Sequence, residues 1–153
     1  MSTHYTQAEQ DIINNAKQII RERAPIFGDT LDCSTKSADL MRLELAGAER
    51  EKLAVAFLNN QNAVISVEIM FEGTVDRAVI YPREIMRRAL ALNACALILG
   101  HNHPGGVAKP SEADNYFTDN VKKACALLDI RLLDHVIVTD TNGFYSYAES
   151  RTL

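Results

Sequence analysis

The sequence predicts a mixed α/β domain, a central mixed β-sheet flanked by helices, and three observations carry that expectation. Residues 7–23 set Ile12, Ile13, Ala16, Ile19 and Ile20 at the spacing of an amphipathic helix. Two apolar runs, 53–58 and 63–71, are separated by an Asn-rich turn and read as paired strands. The run CALILG, residues 95–100, is continuously apolar between turn formers, as a buried central strand requires. Segments of helical and strand character alternate, and each must bury its apolar side against the other, which gives a layered fold.

Taken in order, the helix over 7–23 is followed by a loop through residue 33 that carries Pro25, Gly28 and Asp29. Ser34 is placed to cap a second helix running to about Ala46, with Ala38, Leu40, Met41 and Leu45 inward. Between the first two strands, Asn59 and Asn60 tolerate positive φ and suit a tight connection. Gly73 closes the second strand. Tyr81-Pro82 opens a third helix, with Pro82 in its first turn, ending near Asn93. After CALILG, residues 101–110 read as a loop holding Pro104, Gly105, Gly106 and Pro110. A helix over 111–128, a strand over 130–139 and a short strand over 143–147 complete the chain. There is no internal repeat. The domain division expected is an N-terminal helix and linker over 1–30 and one folded domain over 31–153.

The composition narrows the function. With 153 residues, 47% hydrophobic and 24% charged, the chain can bury one real core. No apolar run is long enough to span a bilayer, and the polar MSTHYTQAEQ start lacks the layout of a secretory signal, so a cytoplasmic protein without membrane association is expected. A net charge of −4 argues against non-specific duplex binding. Arg83, Arg87 and Arg88 cluster on the third helix and read as a solvated face. The three cysteines, Cys33, Cys95 and Cys125, have no C-x-x-C spacing and predict no disulfide framework; Cys95 and Cys125 sit among apolar neighbours and read as buried small hydrophobes.

Chemistry concentrates in His101-Asn102-His103-Pro104 and Pro110-Ser111-Glu112-Ala113-Asp114. Two histidines at i and i+2 on extended chain point to one side and reach one ion together. Asp114 lies in the first turn of the next helix, which a Gly/Pro loop can fold back towards them. Two imidazoles and one carboxylate make a catalytic zinc site with a fourth position for water, so His101, His103 and Asp114 are the expected ligands of one Zn2+. Ser111 shares a helix face with Asp114 and is an N-cap through its oxygen, a donor to a developing oxyanion through its single proton, or both in turn. A hydrolase also needs a carboxylate to move protons, and Glu51, Glu68, Glu72, Glu84 and Glu112 are candidates by type. His135 follows Asp134 in a strand, so the two face opposite ways; His135 reads as a core residue or one supporting a ligand. His4 lies in a polar tail and is given no role. An HNH nuclease is rejected, because the parts of that motif are spread over a ββα-metal unit rather than three consecutive residues.

The run HNHPGGVAKPSEAD matches H-x-H-P-x6-S-x-x-D and resembles the JAMM (MPN+) metallopeptidases, and the wider sequence resembles their RadC-like branch. EKLAVAFLNNQNAVI, FEGTVDRAVIYPREIMRRALALNACALILGHNHP and LLDHVIVTD support the match, which covers about residues 31–149. The resemblance implies a JAB/MPN-like layered fold with a zinc site at the end of a central strand, and hydrolysis of amide or isopeptide bonds by zinc-bound water. It carries over Glu51 as general acid/base, Ser111 as oxyanion donor, and His101, His103 and Asp114 as zinc ligands. Gly105 stands where RadC-like proteins commonly have serine, and Asn59 where they commonly have aspartate; neither position is a ligand. The helix-hairpin-helix region of the long forms has no counterpart in the roughly 30 residues before the domain.

Three function classes follow: a zinc peptidase or isopeptidase acting on a peptide or protein; a non-catalytic metal-bearing protein-interaction module or DNA-repair-associated factor; and a metal-dependent enzyme acting on nucleic acid. Glu51 and the open fourth position favour the first. The acidic balance counts against the third and against DNA as a partner. The strand over 63–71 is a candidate edge for pairing in a homodimer.

Overall fold

The computed structural model describes residues 5–23, 30–73, 81–141 and 143–153. The chain runs α1 (Gln7–Arg23), α2 (Ser34–Leu45), β1 (Lys52–Leu58), β2 (Val64–Glu72), α3 (Pro82–Ala91), β3 (Ala96–Asn102), α4 (Glu112–Leu127), β4 (Arg131–Val138) and β5 (Phe144–Ser146). The strands form one five-stranded sheet in the order β2-β1-β3-β4-β5. β1 is antiparallel to both β2 and β3, and β4 is antiparallel to β5. β3 and β4 are parallel, joined through α4, because a parallel pair needs a long crossover. The expected mixed α/β sandwich of helices and sheet is the observed fold.

Both faces of the sheet are covered, which explains why β1 and β3 are apolar without alternation. On one face α2 sets Ala38, Leu40, Met41 and Leu45 against Ala54, Ala56, Leu58, Ala96, Ile98, Val136 and Val138. On the other, Ile85, Met86 and Ala89 of α3 and Val121 and Cys125 of α4 pack on Leu53, Val55, Phe57, Leu97 and Leu99. The odd residues of β3 therefore face α3 and α4, and its even residues face α2. In contrast, α1 keeps Ile12 and Ile19 exposed and meets the domain at one end, where Lys17 Nζ donates to the carbonyls of Glu44 and Ala46 that close α2.

Four local expectations are corrected. Cys33, not Ser34, is the N-cap of α2; Ser34 is its first helical residue and bonds Glu149 instead. In the β1–β2 connection the positive φ falls on Asn62 (φ 61°), because the Asn59 side chain accepts from the Gln61 and Ala63 amides and holds a wider turn. β3 extends through His101 and Asn102, which pair with Leu53 of β1 and with Ile137 and Val138 of β4 and so are strand rather than loop. Cys95 is half-buried, since it precedes the strand, whereas Cys125 is buried in the α4 face. The arginines behave as expected: Arg87 pairs with Glu84, and Arg88 with Glu68. Most of the 24–33 loop lies outside the described residues; Thr30 bridges to Ala63.

Gly100 is where α2 comes closest to β3. A Cβ there would lie 2.3–2.8 Å from Met41 Cγ, Sδ and Cβ, too near for a side chain on a buried, tightly packed helix. Gly100→Ala should cost about 1–3 kcal/mol, the usual cost of overpacking a core. Adding Met41→Ala should return part of it. Urea unfolding of the single and double variants checks this; a Gly100→Ala protein as stable as the parent contradicts the packing argument.

Candidate metal centre

His101 is delivered by the buried end of β3, and the His103 amide donates to Val138 O at 2.9 Å, which continues the extended path one residue past the strand. Strand alternation then turns both imidazoles to the α3/α4 side. From that side α4 brings Asp114 in its first turn. The turn is held by a capping box: Ser111 Oγ accepts from the Asp114 amide (3.1 Å), while Asp114 Oδ2 accepts from the Ser111 amide (2.7 Å) and hydroxyl (2.8 Å). A carboxylate at the start of a helix is also favoured by the helix dipole.

The three groups meet. Asp114 Oδ1 lies 3.2 Å from His101 Nε2, Oδ2 lies 3.4 Å from His103 Nε2, and the two Nε2 atoms are 2.7 Å apart. Among the described residues, His101, His103 and Asp114 are the group whose ligand atoms could share one ion. His103 Nδ1 is 3.0 Å from Val107 O, which can only accept, so Nδ1 carries the ring proton and Nε2 offers its lone pair inward. Two inward nitrogens and a carboxylate, with 3% exposure at both His101 and Asp114, form a donor set that fits a divalent cation.

The electrostatics agree. Burial alone would raise the Asp114 pKa, but His101 and His103, which can hydrogen-bond to it from Nε2 when protonated, hold it far below the ordinary carboxylate range. The same carboxylate raises His103 above 6.5 against the opposing effect of burial, with the Glu51 charge adding to the rise. His135 is driven well below 6.5 by complete burial and by the neighbouring His101.

Glu51 immediately precedes β1. Leu53 pairs with His101 and Lys52 with Glu72, so extending the β1–β3 register sets Glu51 beside His103, on the same face as both histidines. Its carbonyl accepts from Gly73 N at 2.9 Å. The other carboxylates considered lie elsewhere or are engaged: Glu68 with Arg88, Glu84 with Arg87, Glu72 with Lys52, and Glu112 exposed on α4.

Three residues of the site were not singled out from sequence. Asn102, between the histidines, accepts from the Lys52 amide (2.7 Å) and donates to Arg50 O (3.0 Å), so one side chain clamps the backbone on both sides of Glu51. Thr118 bonds both Asp114 O and His135, and Tyr147 stacks on the His135 ring at 5.1 Å and 8°. Asp134 faces away from His135, as strand alternation requires, and accepts from Ser146, from Ala148 N and from the His135 amide.

Comparison with known proteins adds the kinship. The RadC-like JAB domain matches residues 31–152. A UPF0758 protein of Vibrio cholerae serotype O1 is 42% identical over 141 residues, 92% of this chain and 87% of that protein. UPF0758 proteins of Chromobacterium violaceum and Leptothrix cholodnii are 50% and 52% identical over 80% and 82% of this chain. The chain spans 54% of each of those two, about half their length. Among the described residues, no helix is long and apolar enough to cross a membrane.

Two outcomes are expected. Because His103 binds a proton more readily than a free imidazole, a divalent cation held by these groups would have to displace that proton, and its affinity should fall as the pH drops through and below neutrality. Calorimetry in buffers of different ionisation enthalpy should register proton release on binding; a pH-independent affinity contradicts the assignment. Asn102→Ala should leave the Lys52 amide without its acceptor, cost about 1–3 kcal/mol and speed that amide's hydrogen exchange. Unchanged exchange at Lys52 would show that the clamp does not hold.

Proposed function

The chain belongs to the RadC-like JAB domain family, and from that premise we propose that it is a zinc-dependent hydrolase of the JAMM type, cleaving a peptide or isopeptide bond. The observation that carries the reading is the meeting of His101, His103 and Asp114 in a buried corner, with Glu51 on the same face of the sheet. Held by these three residues, one zinc ion per chain would supply a Lewis acid that lowers the pKa of a water and polarises a carbonyl.

The remaining work falls to the chain's own groups. Glu51 is the general acid/base, taking a proton from the attacking water and returning it to the leaving amine. Its backbone is anchored on both sides by Asn102 and through its own carbonyl by Gly73, so its carboxylate starts from a fixed base. Ser111 is the oxyanion donor. Its single proton rests on Asp114 Oδ2, so it must turn away to donate to a developing charge. That turn does not strip the ligand, because the Ser111 amide still donates to the same oxygen. In this reading the substrate is a peptide or protein and the compartment is the cytoplasm.

Metal content and turnover test the proposal together. Glu51→Gln should keep one zinc per chain and lose at least about a hundredfold in hydrolysis, the usual worth of a positioned general base. Library screening with peptide and isopeptide substrates supplies the assay. A wild-type protein that binds zinc and cleaves no member of either library would favour the metal-bearing interaction module instead.

A further inference from the structure

Behind the candidate ligands runs a line of buried hydrogen bonds whose direction can be worked out. Thr118 Oγ1 lies 2.6 Å from Asp114 O and 2.6 Å from His135 Nδ1, and His135 Nε2 lies 2.7 Å from His101 Nδ1. A carbonyl oxygen can only accept, so the single hydroxyl proton of Thr118 goes to Asp114 O. Thr118 Oγ1 is then an acceptor towards His135, and His135 must carry its ring proton on Nδ1. His135 Nε2 is left as a lone pair, which obliges His101 to donate from Nδ1. His101 therefore turns its own Nε2 lone pair towards His103 and Asp114. Every bond in the series follows from the one before, and the first is set by a backbone carbonyl that cannot reverse.

We propose that Thr118 and His135 are positioning residues for the metal centre: a one-way hydrogen-bond relay from Asp114 O through Thr118 and His135 fixes His101 in the tautomer that offers Nε2 to the ion. The inference rests on the reading of His101, His103 and Asp114 as metal ligands. His135 is 0% exposed and Thr118 3%, so these groups satisfy one another rather than solvent. Tyr147 stacked on His135 and the edge of Phe117 at 6.3 Å fix the ring's plane. The relay also closes a loop. It leaves α4 at the carbonyl of Asp114, crosses β4 at His135, reaches β3 at His101, and returns to α4 where the Asp114 carboxylate meets His101 Nε2. One series of bonds thus sets both the proton position on one ligand and the distance between the two elements that carry ligands.

The relay makes a prediction that packing alone does not. In Thr118→Val the shape is kept and the acceptor is lost, so His135 no longer has a reason to hold its proton on Nδ1. With the proton on Nε2, His135 would oppose the Nδ1 proton of His101 and drive His101 to the tautomer that blocks its metal-facing nitrogen. Thr118→Ser restores the hydroxyl. Zinc affinity, measured by competition with a chromophoric chelator well below the melting temperature, should fall about 10- to 100-fold in Thr118→Val, as loss of such supporting bonds typically does, and return close to wild type in Thr118→Ser. In parallel, ¹⁵N NMR of the zinc-free wild type should place the His101 ring proton on Nδ1, with a ¹⁵N–¹⁵N coupling across the bond to His135 Nε2 that disappears in Thr118→Val. A Thr118→Val protein that binds zinc as tightly as wild type overturns the proposal, as does a serine variant no better than valine. If the wild type binds no zinc, the metal reading fails, and the NMR assignment alone then decides the relay: a His101 proton on Nε2 refutes it, and one on Nδ1 coupled to His135 upholds it.

Discussion

The Nε2 atoms of His101 and His103 lie 2.7 Å apart, and with the His103 ring proton held on Nδ1 by Val107 O, a proton or a cation must lie between them. A carboxylate 3.2–3.4 Å from both deepens the demand. That local need for a cation or a shared proton is the constraint on which the site depends. The fold answers it by ending a buried strand in histidine and starting the adjoining helix with Asp114. The elements that carry the candidate ligands are well anchored, since β3 is paired on both sides and the first turn of α4 is held by a reciprocal capping box.

The surroundings divide into two supports on opposite faces of the sheet end. On the α4 side, Thr118 and His135 are inside the domain and contact Asp114 and His101. On the β1 side, Asn102 uses its amide as a substitute strand, holding the chain at Arg50 and Lys52. Asn102 is one residue from each histidine, yet its bonds go to the backbone on either side of Glu51 rather than to the cluster of His101, His103 and Asp114. The three letters of His-Asn-His therefore do separate work: two imidazoles on one face that could share an ion, and a backbone clamp reaching across to the neighbouring strand. Gly100, just before them, lets α2 approach so closely that Met41 fills the space of the missing Cβ.

Much of this was legible in the sequence because the relevant spacings are local. His101 and His103 differ by two positions on extended chain, and Ser111 and Asp114 by three at a helix start; each pair is oriented by one element of secondary structure. Long apolar runs announced the buried strands. What could not be read was contact across elements. Asn102 meets residues 50 and 52 only because β1 and β3 pair antiparallel in a particular register. Thr118 looks like an ordinary helix residue until β4 lays His135 against it. The extension of β3 through His101 was hidden because polar residues there are satisfied by partners on both sides, and the shift of positive φ from Asn59 to Asn62 arises because Asn59 spends its side chain on the turn's amides.

The central claim concerns which atoms hold the ion, and X-ray absorption at the zinc edge of the metal-loaded protein addresses it most directly. The account predicts a nitrogen- and oxygen-only environment with the multiple-scattering pattern of two imidazoles, reduced to one in His103→Ala. A sulfur shell from Cys33, Cys95 or Cys125, or an imidazole pattern unchanged by His103→Ala, would contradict it.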